Sequence, residues 1–244
     1  MSAGYLVVDL GGVVCDFHHA RRLDRFAQAC PLDTEQIHAL LWLSGFSADC
    51  DQGRYGSAAL VRARIRAVLG FVGSDDDIDD AWCSAFLPNT AVIDVLDRHR
   101  GDRVPALFTN NGPLEEQALT RRYPDVFARF DHLFFSYRLR RRKPDPAAFT
   151  AVAGHLGASS EEIVFIDDSP VNVAAARAAG WHCFEYHDVA HLRHDLDEAA
   201  ERLPTVRDLA RPPLASGRPQ GVRRAASVIR STEPGRTRDS PDPS

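Results

Sequence analysis

Tyr5-Leu6-Val7-Val8-Asp9-Leu10-Gly11-Gly12-Val13-Val14 is the stretch from which the architecture follows. Four consecutive apolar residues run without alternation into an aspartate, followed shortly by two glycines. Alternation marks a strand with one wet face. A continuous run marks a strand covered on both faces, as in a parallel sheet between helical layers. Such sheets bind ligands beyond the carboxyl ends of their strands, so Asp9 stands where chemistry is expected.

The same pattern recurs further along the chain. Val104 to Phe108 is a second apolar run, stopping at Thr109-Asn110-Asn111, and Ile163-Val164-Phe165-Ile166 is a third, stopping at Asp167-Asp168. His132 to Ser136 and His182 to Tyr186 are weaker strand candidates. Helical patterns lie between them. Ala91 to Arg100 places Val92, Ile93, Val95 and Leu96 on one face behind an Asn89 or Thr90 cap. Pro146 to Leu156 and Val171 to Ala179 are similar, the latter closed by Gly180. The alternation predicts an α/β fold with a Rossmann-like parallel sheet as its core. Residues 17–87 break the pattern with helical stretches at Ala20–Ala29, Glu35–Leu43, Ser57–Leu69 and Asp76–Ala85 and no convincing strand. They predict an inserted helical cap, leaving residues 1–16 and 88–210 for the core.

Composition bounds the possibilities. Hydrophobic residues make up 44% and charged residues 26%, ordinary values for a globular protein. A net charge of −5 gives no reason to expect nucleic acid as a partner. The apolar run near Met1 is too short for a signal peptide or membrane span, so no membrane partner is expected. Cys15, Cys30, Cys50, Cys83 and Cys183 form no CxxC pair, consistent with reduced thiols and a cytoplasmic setting. From Arg211 onward there are no aromatics, six of the fifteen prolines, and seven arginines against three acids. Such a segment cannot bury enough surface to offset its ordering entropy, and residues 211–244 are expected to form a disordered basic tail.

The chain has 28 arginines and one lysine, Lys143. Where only positive charge is needed, arginine has served; a compact ammonium fits a tight polar site that a planar guanidinium does not. Lys143 lies in a loop before the helix leading to the third apolar run. With Asp9, Thr109, Asn110, Asp167 and Asp168 it makes a coherent set. A carboxylate attacks phosphorus only if the ester's negative charge is neutralised, which a carboxylate-held Mg2+ and an ammonium would do. Donors on Thr109 and Asn110 would hold phosphoryl oxygens. Gly11 and Gly12 let the backbone turn sharply and approach an ion.

These residues resemble the motifs of the haloacid dehalogenase superfamily, over about residues 5–200. Asp9-Leu10-Gly11-Gly12-Val13-Val14 is similar to its first motif, Phe108-Thr109-Asn110 to the second, Lys143-Pro144 to the third and Phe165-Ile166-Asp167-Asp168-Ser169 to the fourth. The resemblance implies an aspartyl-phosphate on Asp9, with Lys143 pairing Asp9 and phosphate. It implies Mg2+ held by Asp9, the Gly11 carbonyl, Asp167 and Asp168, the third directly or through water, and a cap of the first class. Asn172 would orient the metal shell. Arg142-Lys143-Pro144 with Tyr123-Pro124 looks most like the bacterial α-D-glucose-1-phosphate phosphatase branch, so a small phosphorylated metabolite is the expected partner. In the usual first motif a second aspartate, two residues after the nucleophile, serves as general acid and base; here that residue is Gly11. Its loss costs about 10²–10⁴-fold in proton transfer unless something replaces it. His18 and His19 are candidates for that replacement, against a plain surface role, and Asp16 is expected to shape the flap after the first strand. His187, His191 and His194 share one helix face but lack the partners of a metal site. Two rival readings use the same fold: a metal-independent 2-haloacid dehalogenase using Asp9 against carbon, and a catalytically silent binding or regulatory protein.

Overall fold

The computed structural model describes residues 4–202; the expected tail lies outside them. Seven strands occur among these residues: β1 (Tyr5–Val8), β2 (Cys15–Phe17), β3 (Phe86–Pro88), β4 (Val104–Thr109), β5 (His132–Phe135), β6 (Ile163–Asp167) and β7 (His182–Glu185). Five form one parallel sheet in the order β5-β4-β1-β6-β7. β1 is its centre, and the chain crosses first to β4 on one side and later to β6 on the other. That reversal is the topological switch.

The apolar runs are continuous because both sheet faces are covered. Leu6 and Val8 of β1, Leu107 of β4, and Val164 and Ile166 of β6 join one hydrophobic cluster. The intervening Val7, Ala106, Phe108, Ile163 and Phe165 join the other, with Phe149, Val152 and Trp181. The two-residue period of a strand therefore sorts a single apolar run into two cores. Helices Thr90–His99 and Val189–Arg202 cover the first face; Pro146–Leu156 and Pro170–Ala178 cover the second. Asn89 caps the first of these by accepting from the Val92 amide.

The strand register decides where the polar ends fall. Val8 lies opposite Leu107 on one side and Ile166 on the other. Asp9 and Asp167 follow directly and Thr109 one residue further on, so all three emerge at one sheet edge. The Asp9 amide donates to the Ile166 carbonyl at 2.9 Å, extending that alignment to the aspartate.

Between β2 and β3 run helices His19–Ala27, Thr34–His38, Phe46–Asp51, Ala58–Leu69 and Asp75–Cys83, with a π-helical turn at Ala39–Leu43. Capping boxes at Asp33 and Ser74 start two of them. The expectation of no strand in residues 17–87 is corrected, because β2 and β3 pair as an antiparallel ribbon matching Phe17 to Phe86. Three-residue strands carry too few positions to show a period. Asp16, expected to shape this flap, accepts from Asn89 Nδ2 at 2.9 Å across the ribbon. The helix Pro113–Arg122 was not anticipated either; it links to the insertion through Arg62, which clasps Asp79 with two 2.7 Å hydrogen bonds and reaches Gln117 at 2.8 Å. Among the described residues no helix is long and apolar enough to cross a membrane.

Candidate active site

Lys143 is the hub of the sheet edge. It is 1% exposed, and Nζ donates to Asp167 Oδ2 at 2.6 Å and to the Phe108 carbonyl at 2.8 Å. It stands 2.8 Å from Asp9 Oδ1, close enough to pair as ions but off the line of a hydrogen bond. Asp9 Oδ1 is thus buried without a hydrogen-bond donor. Burial pulls the Lys143 pKa down, but Asp9 and Asp167 outweigh it and hold the ammonium above its ordinary value. Burial pushes Asp9 up to about 7; Lys143 opposes the rise and the charge of Asp167 adds to it.

The other expected residues divide into those that face the cavity and those that brace them. Asp167 is fully buried and engaged on both oxygens: Oδ1 accepts from the Ser169 amide at 2.9 Å and Asn172 Nδ2 at 3.0 Å, Oδ2 from Lys143. Asn172, expected to orient the metal shell, donates its Nδ2 to Asp167. Asn110 departs from its expected role on phosphate. Its side-chain oxygen accepts from the Lys143 amide and its Nδ2 donates to the Lys143 carbonyl, both at 2.8 Å. An amide with those two bonds has become a main-chain clamp that places the lysine. Thr109 is buried, and its hydroxyl accepts from Asn111 Nδ2 at 2.5 Å. A hydroxyl that accepts there still has its own hydrogen to donate.

Asp9, Asp167 and Asp168 each present an oxygen within 4.8 Å of the others. Burial, then the charge of Asp167, raises the Asp168 carboxyl above its usual range. Once all three carboxyls ionise, one ammonium leaves two negative charges unbalanced. Hard oxygen donors, a spare buried lone pair on Asp9 and that charge excess suit a small divalent cation. Gly12 keeps the place open. Its φ is +91°, and a Cβ there would lie 2.1 Å from Asp168 Oδ2. Gly12→Ala is therefore expected to weaken Mg2+ binding more than about tenfold, through left-handed strain and displacement of Asp168; calorimetric titration checks it.

Gly11 has a different reason. A Cβ there would meet Phe86 at 3.2 Å and Phe17 at 3.4 Å. The rings of the ribbon occupy the room that an acid–base carboxylate would need. His18 and His19 do not fill the gap: His18 is exposed, and His19 Nε2 bonds His38 Nδ1 at 3.0 Å, away from the cavity wall. His191 pairs with Asp188 at 2.7 Å.

A cavity of about 200 Å³ opens over Asp9, Gly11, Thr109 and Asn110, and the insertion contributes Phe17, Arg22, Trp42, Ser47, Asp51 and Phe86 to its walls. Sequence reasoning missed Arg22, Asp51 and also Glu115, another wall residue. No local signal marks Arg22 among 28 arginines, since only the packing of the helices brings it to the cavity.

A family model of haloacid dehalogenase-like hydrolases matches residues 5–180. The chain belongs to this family. It is 46% identical over 60 residues to a flavin mononucleotide hydrolase of Arabidopsis thaliana, covering 24% of each chain. It is 28% identical over 92 residues to a phosphorylated carbohydrates phosphatase of Thermotoga maritima, covering 38% of this chain and 43% of that one. The matches thus span less than half the length of these curated relatives. A solved structure of a haloacid dehalogenase family enzyme from Bacteroides thetaiotaomicron, in complex with magnesium and inorganic phosphate, aligns over 78% of this chain and 99% of that one. Its TM-score is 0.64 and its identity 26%.

This chain combines the lysine hub with a glycine at position 11. The raised Asp9 carboxyl gives a pH expectation. The folded, metal-free protein keeps a proton on Asp9 up to about pH 7, whereas the unfolded chain releases it near pH 4. The folded state binds more protons across that window, so this group's contribution to stability is lost as pH rises from 4 through 7. A cation must displace the same proton. The thermal shift produced by Mg2+ is therefore expected to be larger at pH 8 than at pH 5.5; equal shifts would contradict the assignment of Asp9 as a ligand.

Proposed function

We propose that this chain is a Mg2+-dependent phosphatase of small phosphate monoesters, acting through an aspartyl-phosphate on Asp9. The supporting observation is the Asp9 carboxylate itself, with Oδ1 buried and 2.8 Å from the Lys143 ammonium on the floor of a cavity. A carboxylate in that state is desolvated and electrostatically steadied, as a nucleophile toward phosphorus must be.

Asp9 attacks phosphorus and forms a new P–O bond while the bond to the ester oxygen breaks; that oxygen departs with the electron pair and takes up a proton. Water then cleaves the acyl phosphate, releasing inorganic phosphate and restoring Asp9. Lys143 holds the attacking carboxylate and faces the developing charge. Thr109 donates its free hydroxyl hydrogen to a phosphoryl oxygen, and Asn110 keeps the lysine in place. Asp9, the Gly11 carbonyl and Asp168 would hold the cation, with Asp167 braced behind them. Bound Mg2+ supplies charge neutralisation at the phosphoryl oxygens.

With no carboxyl at Gly11, esters whose leaving oxygen needs little protonation are favoured, and sugar 1-phosphates meet that description, in keeping with the glucose-1-phosphate phosphatase pattern around Lys143. The cavity volume supports a compact substrate, since drug-sized ligands occupy about 300–1,000 Å³. The phosphorylated carbohydrates of the Thermotoga relative suit it better than a flavin mononucleotide. The third acid favours phosphorus over carbon–halogen chemistry, which needs no cation. The test is phosphate release across sugar 1-phosphates, sugar 6-phosphates, nucleotides and acyl phosphates, with Mg2+ and with EDTA. Release confined to the Mg2+ arm is expected; release that ignores chelation would refute the metal-assisted mechanism.

A further inference from the structure

Arg22, on the helix His19–Ala27, is only 3% exposed. Its guanidinium is boxed by the rings of Phe17, Trp42, Trp82 and Phe86, with centroids 5.0–5.5 Å away. Nε and Nη2 make no hydrogen bond, and among the described residues no carboxylate lies within ion-pair distance of the group, although Glu115 and Asp51 attract it from farther away. Ring faces attract a cation but do not accept N–H hydrogens as an oxygen does. Buried N–H donors without acceptors are unfavourable, and the usual resolution is a hydrogen-bonding partner. Here the guanidinium forms part of the wall of the cavity that contains Asp9.

We propose that Arg22 is the receptor for a second oxyanion on the substrate, a carboxylate or a second phosphate, so that the chain acts on compact phosphate monoesters bearing another negative group. This rests on the phosphatase reading and narrows it. The carboxylates sharing the cavity attract Arg22 through space but do not reach its N–H groups. Glu115 points its oxygens at Trp82 Nε1, 2.5 Å away, and the Gly112 amide, 3.2 Å away. Burial, then the charge of Glu115, lifts the Asp51 carboxyl well above its usual range, against the pull of Arg142 and Arg22, and its side chain stands 4.0 Å from Arg142. Planar, always-charged guanidinium suits either oxyanion.

The experiment compares matched pairs: 2-phosphoglycolate with 2-hydroxyethyl phosphate, and glucose 1,6-bisphosphate with glucose 1-phosphate. Wild-type kcat/KM is expected to favour the charged member of at least one pair by about ten- to a hundredfold, the range of a charge-assisted hydrogen bond. The pair that responds identifies the oxyanion. Arg22→Met is expected to bring that ratio to about one. Its ligand-free melting temperature is expected to rise, because an apolar chain replaces N–H donors without acceptors among rings; a fall would mark the arginine as structural and count against the proposal. Arg22→Gln, which keeps polarity and removes charge, should collapse the ratio in the same way if the methionine variant does not fold. Wild-type ratios within twofold, or a ratio surviving either variant, would overturn the proposal. If no ester is hydrolysed, the phosphatase reading has failed separately, and calorimetry with unreactive probes decides Arg22. Phosphonoacetate or methylenebisphosphonate should then bind at least tenfold tighter than 2-hydroxyethylphosphonate in the wild type but not in the variants; equal affinities would overturn it.

Discussion

Asp9→Asn is expected to lower kcat by at least about 10⁴-fold, the scale seen when a covalent nucleophile is removed. The substitution is nearly isosteric, so its effect isolates chemistry from shape. Asparagine keeps an oxygen at the cavity floor but lacks the charge that forms a bond to phosphorus. The fold should survive, because Lys143 retains Asp167 and the Phe108 carbonyl as partners. The variant also removes a buried carboxyl that Asp167 repels, so its metal-free melting temperature should match or exceed the wild type. Acid-quenched wild-type enzyme with substrate should carry acid-stable, base-labile phosphate on the peptide containing Asp9, and the variant none. Phosphate release by Asp9→Asn at near wild-type rate would eliminate the aspartyl-phosphate.

Lys143→Met is expected to damage both stability and activity. Among the described residues the lysine is the only cation bonded to Asp167, a carboxylate with no exposure at all, and it lies between that acid and Asp9. Removing one partner of a buried ion pair typically costs about 3–5 kcal/mol, because the remaining charge is left unpaired. Phosphate release should fall at least a hundredfold with the loss of a charge aimed at the reacting centre. Lys143→Arg should not rescue it. The site encloses the ammonium between Phe108, Asp9 and Asp167, and a planar fork has no room to present its donors there. Urea unfolding and kinetics together separate the two effects. Adding Asp167→Asn to Lys143→Met should restore much of the stability and none of the activity, since the second change removes the stranded charge but not the need for the first. A Lys143→Arg enzyme with wild-type turnover would show that positive charge alone suffices.

Much of the catalytic edge was legible because each of its residues directly follows or leads to a buried strand. Asp9, Thr109 and Asp167 each end an apolar run, and parallel pairing in matched register brings such ends together regardless of their separation in sequence. Lys143 was visible through composition, as one lysine against 28 arginines. Roles were less legible than membership. Asn110 and Thr109 look equivalent as donors after β4, yet the first is clamped to the Lys143 main chain and the second keeps a free hydroxyl hydrogen. Gly11 and Gly12 read as a matched pair, yet one makes way for two phenylalanine rings and the other for a carboxylate.

The polar ends of the strands, the helical stretches of the insertion and the lone lysine were thus determined by the sequence alone, because periodicity and strand termini are local properties of the chain. The cavity above them was decided only in three dimensions. Arg22 acquires its aromatic box from Phe17, Trp42, Trp82 and Phe86, residues up to 69 positions apart, and Glu115 arrives from a different helix altogether. No window along the chain contains that arrangement. Side-chain burial and charge pairing are set by which surfaces pack together, and packing is a long-range outcome that local pattern does not encode.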